Sequence, residues 1–236
     1  MARTRDPHPG HRSVSGGLAR AAIFGISDGL VSNVSLVIGI AGGGLSTSIV
    51  RLAGLAGAVA GAASMGAGEW VSVSAQNELI RREVEMERRE IVNNPDFETL
   101  ELAAFYEGHG MSKEQAASSA QEVMSKPELA LIVHAREEFG IDVEDLPSPF
   151  RVAITSFVCF IVGALLPVLP WYVASGNAAK TTSVLVGVVA AAVVGALIGK
   201  SAELSIARTG VRQVLILLTA CGVTYCIGLL LNTTVI

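Results

Sequence analysis

Thiol chemistry is close to absent: Cys159, Cys221 and Cys226 are the only cysteines, all inside apolar runs and none in a C-x-x-C pair. This excludes a disulfide framework and a thiolate metal site, and leaves them as small packing residues. Charge is scarce everywhere but in one block. Residues 81–148 hold 16 of the 21 acids and 7 of the 17 bases, a net −9, whereas the rest of the chain sums to +5. A block that acidic repels nucleic acid and anionic lipid and attracts cations, so no nucleic-acid partner is expected. A cleavable leader is not expected either, because the first apolar run continues too far and carries Asp28. There is no internal repeat, and the glycines of AGGGLS (41–46) follow no strand, which excludes a phosphate cradle.

What the sequence does have is long apolar runs. With 51% hydrophobic residues and a mean hydropathy of +0.54, its composition is that of an integral membrane protein. Five stretches, 19–41, 49–75, 151–173, 183–200 and 212–232, come near the length a helix needs to cross hydrocarbon. They lack the alternation of barrel strands, and backbone amides in lipid must find partners within their own segment, so helix is the remaining choice. Arg12, Arg20, Arg81, Arg82, Arg88, Arg89, Arg151, Lys200, Arg208 and Arg212 flank the spans on one side, against Arg51 and Lys180 on the other. This bias puts the N-terminus and the acidic block in the cytoplasm and the C-terminus across the membrane.

The expected fold class is therefore all-α integral membrane, five transmembrane helices with a helical cytoplasmic module inserted between spans two and three. The expected divisions are a disordered Pro/Gly-rich tail over 1–15 with His8 and His11 incidental, spans one and two over 16–80, the acidic module over 81–148, and spans three to five over 149–236. Span two should extend as helix to about residue 93. Asn94-Pro95 supplies an N-cap and a proline at the first helical position for a helix ending at Gly108-His109-Gly110. Ser112 and Gln115 form a capping-box pattern, and Pro127 opens another helix that stops near Gly140.

Acids inside the bilayer carry the first functional signal. Asp28, Ser32 and Ser35 share one face of span one, with Asn33 beside it, and Met65, Glu69, Ser72 and Gln76 repeat that spacing in span two. An ionised carboxylate in lipid is costly unless it meets water, a cation or a partner, so such acids default to an ion or proton path. Glu203, near an interface and Lys200, reads as structural. Gly54, Gly57 and Gly61, with Ala58 and Ala62, allow close helix approach, either in packing or in dimerisation.

The second signal is a comb of carboxylates. Glu83, Glu87 and Glu90 share a helix face, Glu98 and Glu101 lie one turn apart on the next helix, and His134 with Glu138 adds a nitrogen and an oxygen from a third. Folded back through the 93–95 corner, these could converge on one or more divalent ions. Oxygen-rich ligation with one imidazole suits Fe2+ or Mn2+ better than Cu(I), Mg2+ or Ca2+, with Zn2+ and Co2+ open. Glu85 points away from the comb, and His109 sits in a turn. A ferritin-like oxidase would want Glu-x-x-His units, but Tyr106 and Leu131 stand three residues before His109 and His134, which argues against an enzyme.

The stretches FGISDGLVSNVSLVIGIAGG, SMGAGEWVSVSAQNE and GALLPVLP resemble the vacuolar iron transporter family over nearly the whole chain from residue 16. The resemblance implies a homodimeric antiporter that takes Fe2+, and sometimes Mn2+ or related divalents, out of the cytoplasm in exchange for protons. By position it implies Asp28, Met65 and Glu69 as transport-path residues, and Glu87, Glu90, Glu98, Glu101 and Glu138 as metal ligands of the module. Where the family often has methionine one turn before that last acid, this chain has His134. No resident cofactor is expected, and the host membrane expected is a prokaryotic cytoplasmic membrane, with a vacuolar one as the other option. A membrane-anchored metal buffer or sensor without transport is the competing expectation.

Overall fold

The computed structural model describes residues 17–140, 142 and 145–232. The expected 1–15 tail, with His8 and His11, lies outside the described residues. Among those described there is no strand, and the helices run in the order α1 (Gly17–Gly42), α2 (Thr47–Asn93), α3 (Pro95–Gly108), α4 (Lys113–Met124), α5 (Pro127–Phe139), α6 (Pro149–Leu165), α7 (Pro170–Val173), α8 (Gly176–Ser201) and α9 (Ile206–Asn232). Five segments, α1, α2, α6 with α7, α8 and α9, are long and apolar enough to cross a membrane. The chain forms two compact units. One comprises the chain up to Val71 and from Pro149 onward, the other Ser72–Ser148.

In the first unit α1 is the central helix, packed on α6, α8 and α9. Lipid tails are as apolar as leucine, so helices here are held by close van der Waals approach and buried hydrogen bonds more than by hydrophobic transfer. The glycines make that approach possible. A Cβ on Gly29 would run into the Phe160 carbonyl, and one on Gly163 into the Ile26 carbonyl, so α1 and α6 touch backbone to backbone. The obstructing atoms are main chain and cannot rotate away. Gly29→Ala is therefore expected to cost about 2–3 kcal/mol, seen as a lowered thermal midpoint in detergent, whereas Gly222→Ala, with nothing within 4 Å, should leave it within error. The stripe of Gly54, Gly57 and Gly61 also packs within the chain, against Val37 and Val168, against Leu36, and against the Phe160 ring.

Pro167 and Pro170 interrupt the third span, since neither can donate to an α-helical ladder. Ser183 of α8 donates to the freed Pro167 carbonyl at 2.5 Å. Arg51, one of the two bases against the expected orientation, donates to the Trp171 carbonyl at 2.5 Å and lies 5.2 Å from the centre of the Tyr172 ring. Glu203 marks the end of α8 through its backbone. It adopts φ 55° after α8, and the next amide, Leu204, donates back to Gly199 at 2.8 Å, which closes the helix end in the manner glycine usually serves.

The second unit is a helical module whose local signals act as the sequence suggests, with one exception. The Ser112–Gln115 capping box forms reciprocally, and Gly140 ends α5 at φ 65°. Asn94 sits at the N-cap of α3, but its side chain makes no capping bond, and Pro95 at the first helical position simply lacks the N–H that would need one. Val84, Ile91, Ala130, Leu131 and Ala135 form one core between α2 and α5. Leu102, Ala103, Ala116 and Ala120 form another between α3 and α4. Asn77 donates to the Pro147 carbonyl at 2.9 Å, tying the end of the module to α2.

Candidate metal centre and intramembrane pocket

Ile80, Val84, Glu87 and Ile91 follow one another at helical spacing, so Glu87 occupies a core position of α2. His134 does the same on α5, among Ala130, Leu131 and Ala135, and Glu98 lies one turn before the buried Leu102 on α3. Each polar side chain is carried inward by the apolar residues around it. Glu87 and Glu98 are 3% exposed and His134 1%, and their ligand atoms all lie within 4.8 Å of one another. His134 Nδ1 is 3.0 Å from Glu87 Oε1 and 3.7 Å from Glu98 Oε2.

This is not an ordinary salt bridge. Among the described residues Glu87 Oε1 makes no hydrogen bond despite the 3.0 Å approach, and His134 Nε2 is likewise buried and unpaired. Burial, followed by the charge of Glu138, pushes the Glu87 carboxyl up to about 8, and in its protonated form it donates to Glu138. Burial also raises Glu98, helped by Glu101 and Glu90, and raises Glu138. Burial lowers His134. At neutral pH the metal-free cluster therefore holds a proton on Glu87 and none extra on its imidazole. It is a set of donors with too little positive charge, which a divalent cation would supply while releasing protons.

The pH dependence of stability follows. A carboxyl raised from 4.5 to about 8 binds more protons folded than unfolded across that window, so it favours the fold at low pH and loses that contribution as pH rises. His134, lowered, has the opposite slope below its ordinary 6.5. The expected result in chelator-treated protein is a loss of a few kcal/mol of module stability, steepest between about pH 6.5 and 8, read from amide exchange in α5. Glu87→Gln should flatten it.

Of the remaining expected ligands, Glu90 and Glu138 are exposed and Glu83 and Glu101 half-buried. Glu90, Glu101 and Glu138 act on the inner carboxyls through their charge, Glu138 also by accepting from Glu87, and Glu83 acts on Glu138, so the four form a rim around three inner donors. Glu85 pairs with Arg88 and Arg89 on the surface, and His109 is an exposed helix cap 3.6 Å from Glu137.

In the first unit Asp28, Ser32 and Met65 line one pocket of about 350 Å³, together with Asn33, Ser64 and Phe160. Ser32 Oγ donates to Asp28 Oδ1 at 2.9 Å, and no basic side chain among the described residues pairs with Asp28. Glu69 does not line this pocket. Its carboxylate, 11% exposed, accepts from Arg20 Nη2 at 3.1 Å across 49 residues of sequence, a partner with no local sequence signal. Ser72 and Gln76, in the second unit, are exposed.

The model of the VIT family matches residues 19–229. Vacuolar iron transporter 1 of Oryza sativa subsp. japonica is 30% identical over 194 residues, 82% of this chain and 77% of that protein. Vacuolar iron transporter 1 of Arabidopsis thaliana is 30% identical over 166 residues, 70% of this chain and 66% of that protein. A vacuolar iron transporter of Acanthamoeba castellanii is 36% identical over 161 residues, 67% of this chain and 58% of that protein.

Proposed function

This chain belongs to the VIT family, and we propose that it is a secondary transporter carrying Fe2+, or Mn2+, Co2+ or Zn2+, out of the cytoplasm in exchange for protons. Asp28 carries this reading. It is an acid within a membrane-crossing helix, beside a thioether and two hydroxyls, with no basic side chain paired to it among the described residues. A carboxylate so placed is neutralised either by a proton or by a passing cation, and the alternation of the two is proton-coupled transport.

The path is shared between two copies in this proposal. Ser32 and Ser64 are exposed although both line the pocket, and hydroxyls at that depth are better placed against another protein surface than against lipid. Ala56, Ala60, Ala63, Ala67 and Gly68 are exposed on the same span of α2 and give a second helix room to approach closely. The acidic module and the N-terminus lie in the cytoplasm, where Glu87, Glu98 and His134, rimmed by Glu83, Glu90, Glu101 and Glu138, gather the metal before it reaches Glu69, Met65 and Asp28.

Purified protein in liposomes tests the proposal. Under an imposed proton gradient, entry of Fe2+ with counter-movement of protons is the expected outcome. Metal binding without flux would identify a membrane-anchored buffer instead, and comparing Fe2+, Mn2+, Co2+ and Zn2+ in one preparation gives the order of preference.

A further inference from the structure

Asn33 is only 2% exposed within a membrane-crossing helix, and its side chain is pinned. Nδ2 donates to the Gly54 carbonyl of α2 at 3.0 Å and to the Ala164 carbonyl of α6 at 2.5 Å. A primary amide has two N–H bonds, and both are used. Turning the amide over would set Oδ1 against two carbonyl oxygens, so the hydrogen bonds fix which way it faces. Oδ1 is left as a buried acceptor without a partner among the described residues. Such an atom is costly where water is excluded, and it persists where something else meets it.

The surroundings indicate what that is. A Cβ on Gly57 would stand 3.1 Å from Oδ1, and Gly57 and Asn33 both line the pocket that holds Asp28, Ser32 and Met65. Any side chain at this position would crowd the oxygen.

We propose that Asn33 Oδ1 is a ligand for the cation held in this pocket, a neutral oxygen donor that sets which divalent metals the path accepts. This rests on Asp28 being a path residue. Asp28 supplies one charge, and Met65 a soft sulfur. An amide oxygen adds a hard donor that favours Mn2+ and Fe2+ over Zn2+, and it adds no charge to be neutralised when the metal leaves. The pocket of about 350 Å³ has room for an ion that keeps several waters at about 30 Å³ each. Because its amide is tied to two other helices, Oδ1 cannot follow the ion and selects by position.

Asn33 also straps three helices together, so the test must separate strap from ligand. Gly57→Ala does so: it crowds Oδ1 and leaves both amide hydrogen bonds in place, while the other atom it meets, Leu36 Cδ2 at 2.5 Å, ends a flexible side chain. Binding of Mn2+ and of Zn2+ is measured by equilibrium dialysis on the full chain carrying Glu87→Gln and Glu98→Gln, with and without Gly57→Ala, Asn33→Leu or Asp28→Asn, and with thermal midpoints alongside. Gly57→Ala should weaken Mn2+ about tenfold, the scale on which a lost supporting group weakens a metal site, with a much smaller change for Zn2+ and an unchanged midpoint. Equal weakening of both metals, or no change in Gly57→Ala when Asn33→Leu loses both binding and stability, would overturn the proposal. If Asp28→Asn leaves binding untouched, the path itself is misplaced. Loss in Asp28→Asn without a selective loss in Gly57→Ala sinks only the role of Asn33.

Discussion

Asp28→Asn is expected to leave a folded protein whose metal flux in liposomes is lower by about two to three orders of magnitude, the equivalent of removing one partner from a buried charge pair. The substitution is nearly isosteric, and Ser32 can still donate to the amide oxygen as it does to Asp28 Oδ1 at 2.9 Å. Packing is preserved, and only the charge goes. A divalent ion in that pocket then meets neutral oxygens and a sulfur, which do not replace the hydration it gives up. The site also loses the proton it would exchange for the ion. Glu69→Gln should cost less, about tenfold, because Glu69 already shares its charge with the largely exposed Arg20. Normal flux in Asp28→Asn protein would remove Asp28 from the path, and an equally deep loss in Glu69→Gln would mean that the Arg20 pair opens during transport.

The difference between those two acids shows where sequence reasoning reaches and where it stops. Helical spacing puts Asp28 with Ser32, and Met65 with Glu69, on common faces, and the pocket does bring Asp28, Ser32 and Met65 together. What spacing cannot give is the neighbour across a helix interface. The Arg20 guanidinium reaches Glu69 from 49 residues away, and Asn33 straps to Ala164 from 131 away. Such contacts follow from how α1, α2 and α6 cross, which depends on glycines such as Gly29 and Gly163 whose effect is read only when the helices are docked. The small residues of α2 illustrate the same limit: the stripe allows close approach, but Val37, Val168 and Phe160 of the same chain are what approach it.

In the module the boundaries were legible because each has a local cause. Pro95, the Ser112–Gln115 box, Pro127 and Gly140 act within one helical turn. The comb was legible as a face but not in depth. Glu83, Glu87 and Glu90 fall on one side of α2, yet Glu87 alone lies in line with Ile80, Val84 and Ile91, and that line is what α5 covers. A carboxylate interrupting an apolar stripe was the available signal for the inner ligand. His134, between Leu131 and Ala135, carries the same mark.

That mark leads to the second large effect, in which stability and binding move in opposite directions. His134→Leu should raise the stability of the metal-free module by about 1–2 kcal/mol, because it removes a buried imidazole whose Nε2 has no partner and sets an apolar side chain of similar size among Leu131, Ala130 and Ala135. It should also weaken Mn2+ or Fe2+ binding by the module by at least about a hundredfold, the upper range for losing a group that merely supports a metal's ligands. Glu98→Gln should weaken binding as much, since its buried oxygen is one of the three donors that lie within 4.8 Å of one another among the described residues. Glu85→Gln, on the surface with Arg88 and Arg89, should leave binding within about twofold, as exposed pairs contribute little. Thermal unfolding in chelator, set beside metal titration of the same samples, reads both quantities. A residue kept for packing would lose stability on replacement, whereas one kept for a ligand gains it, because the fold has been holding three polar groups together against their own desolvation. If His134→Leu destabilises the metal-free chain and binds metal as before, the three side chains are an internal polar contact and metal capture lies with the exposed rim.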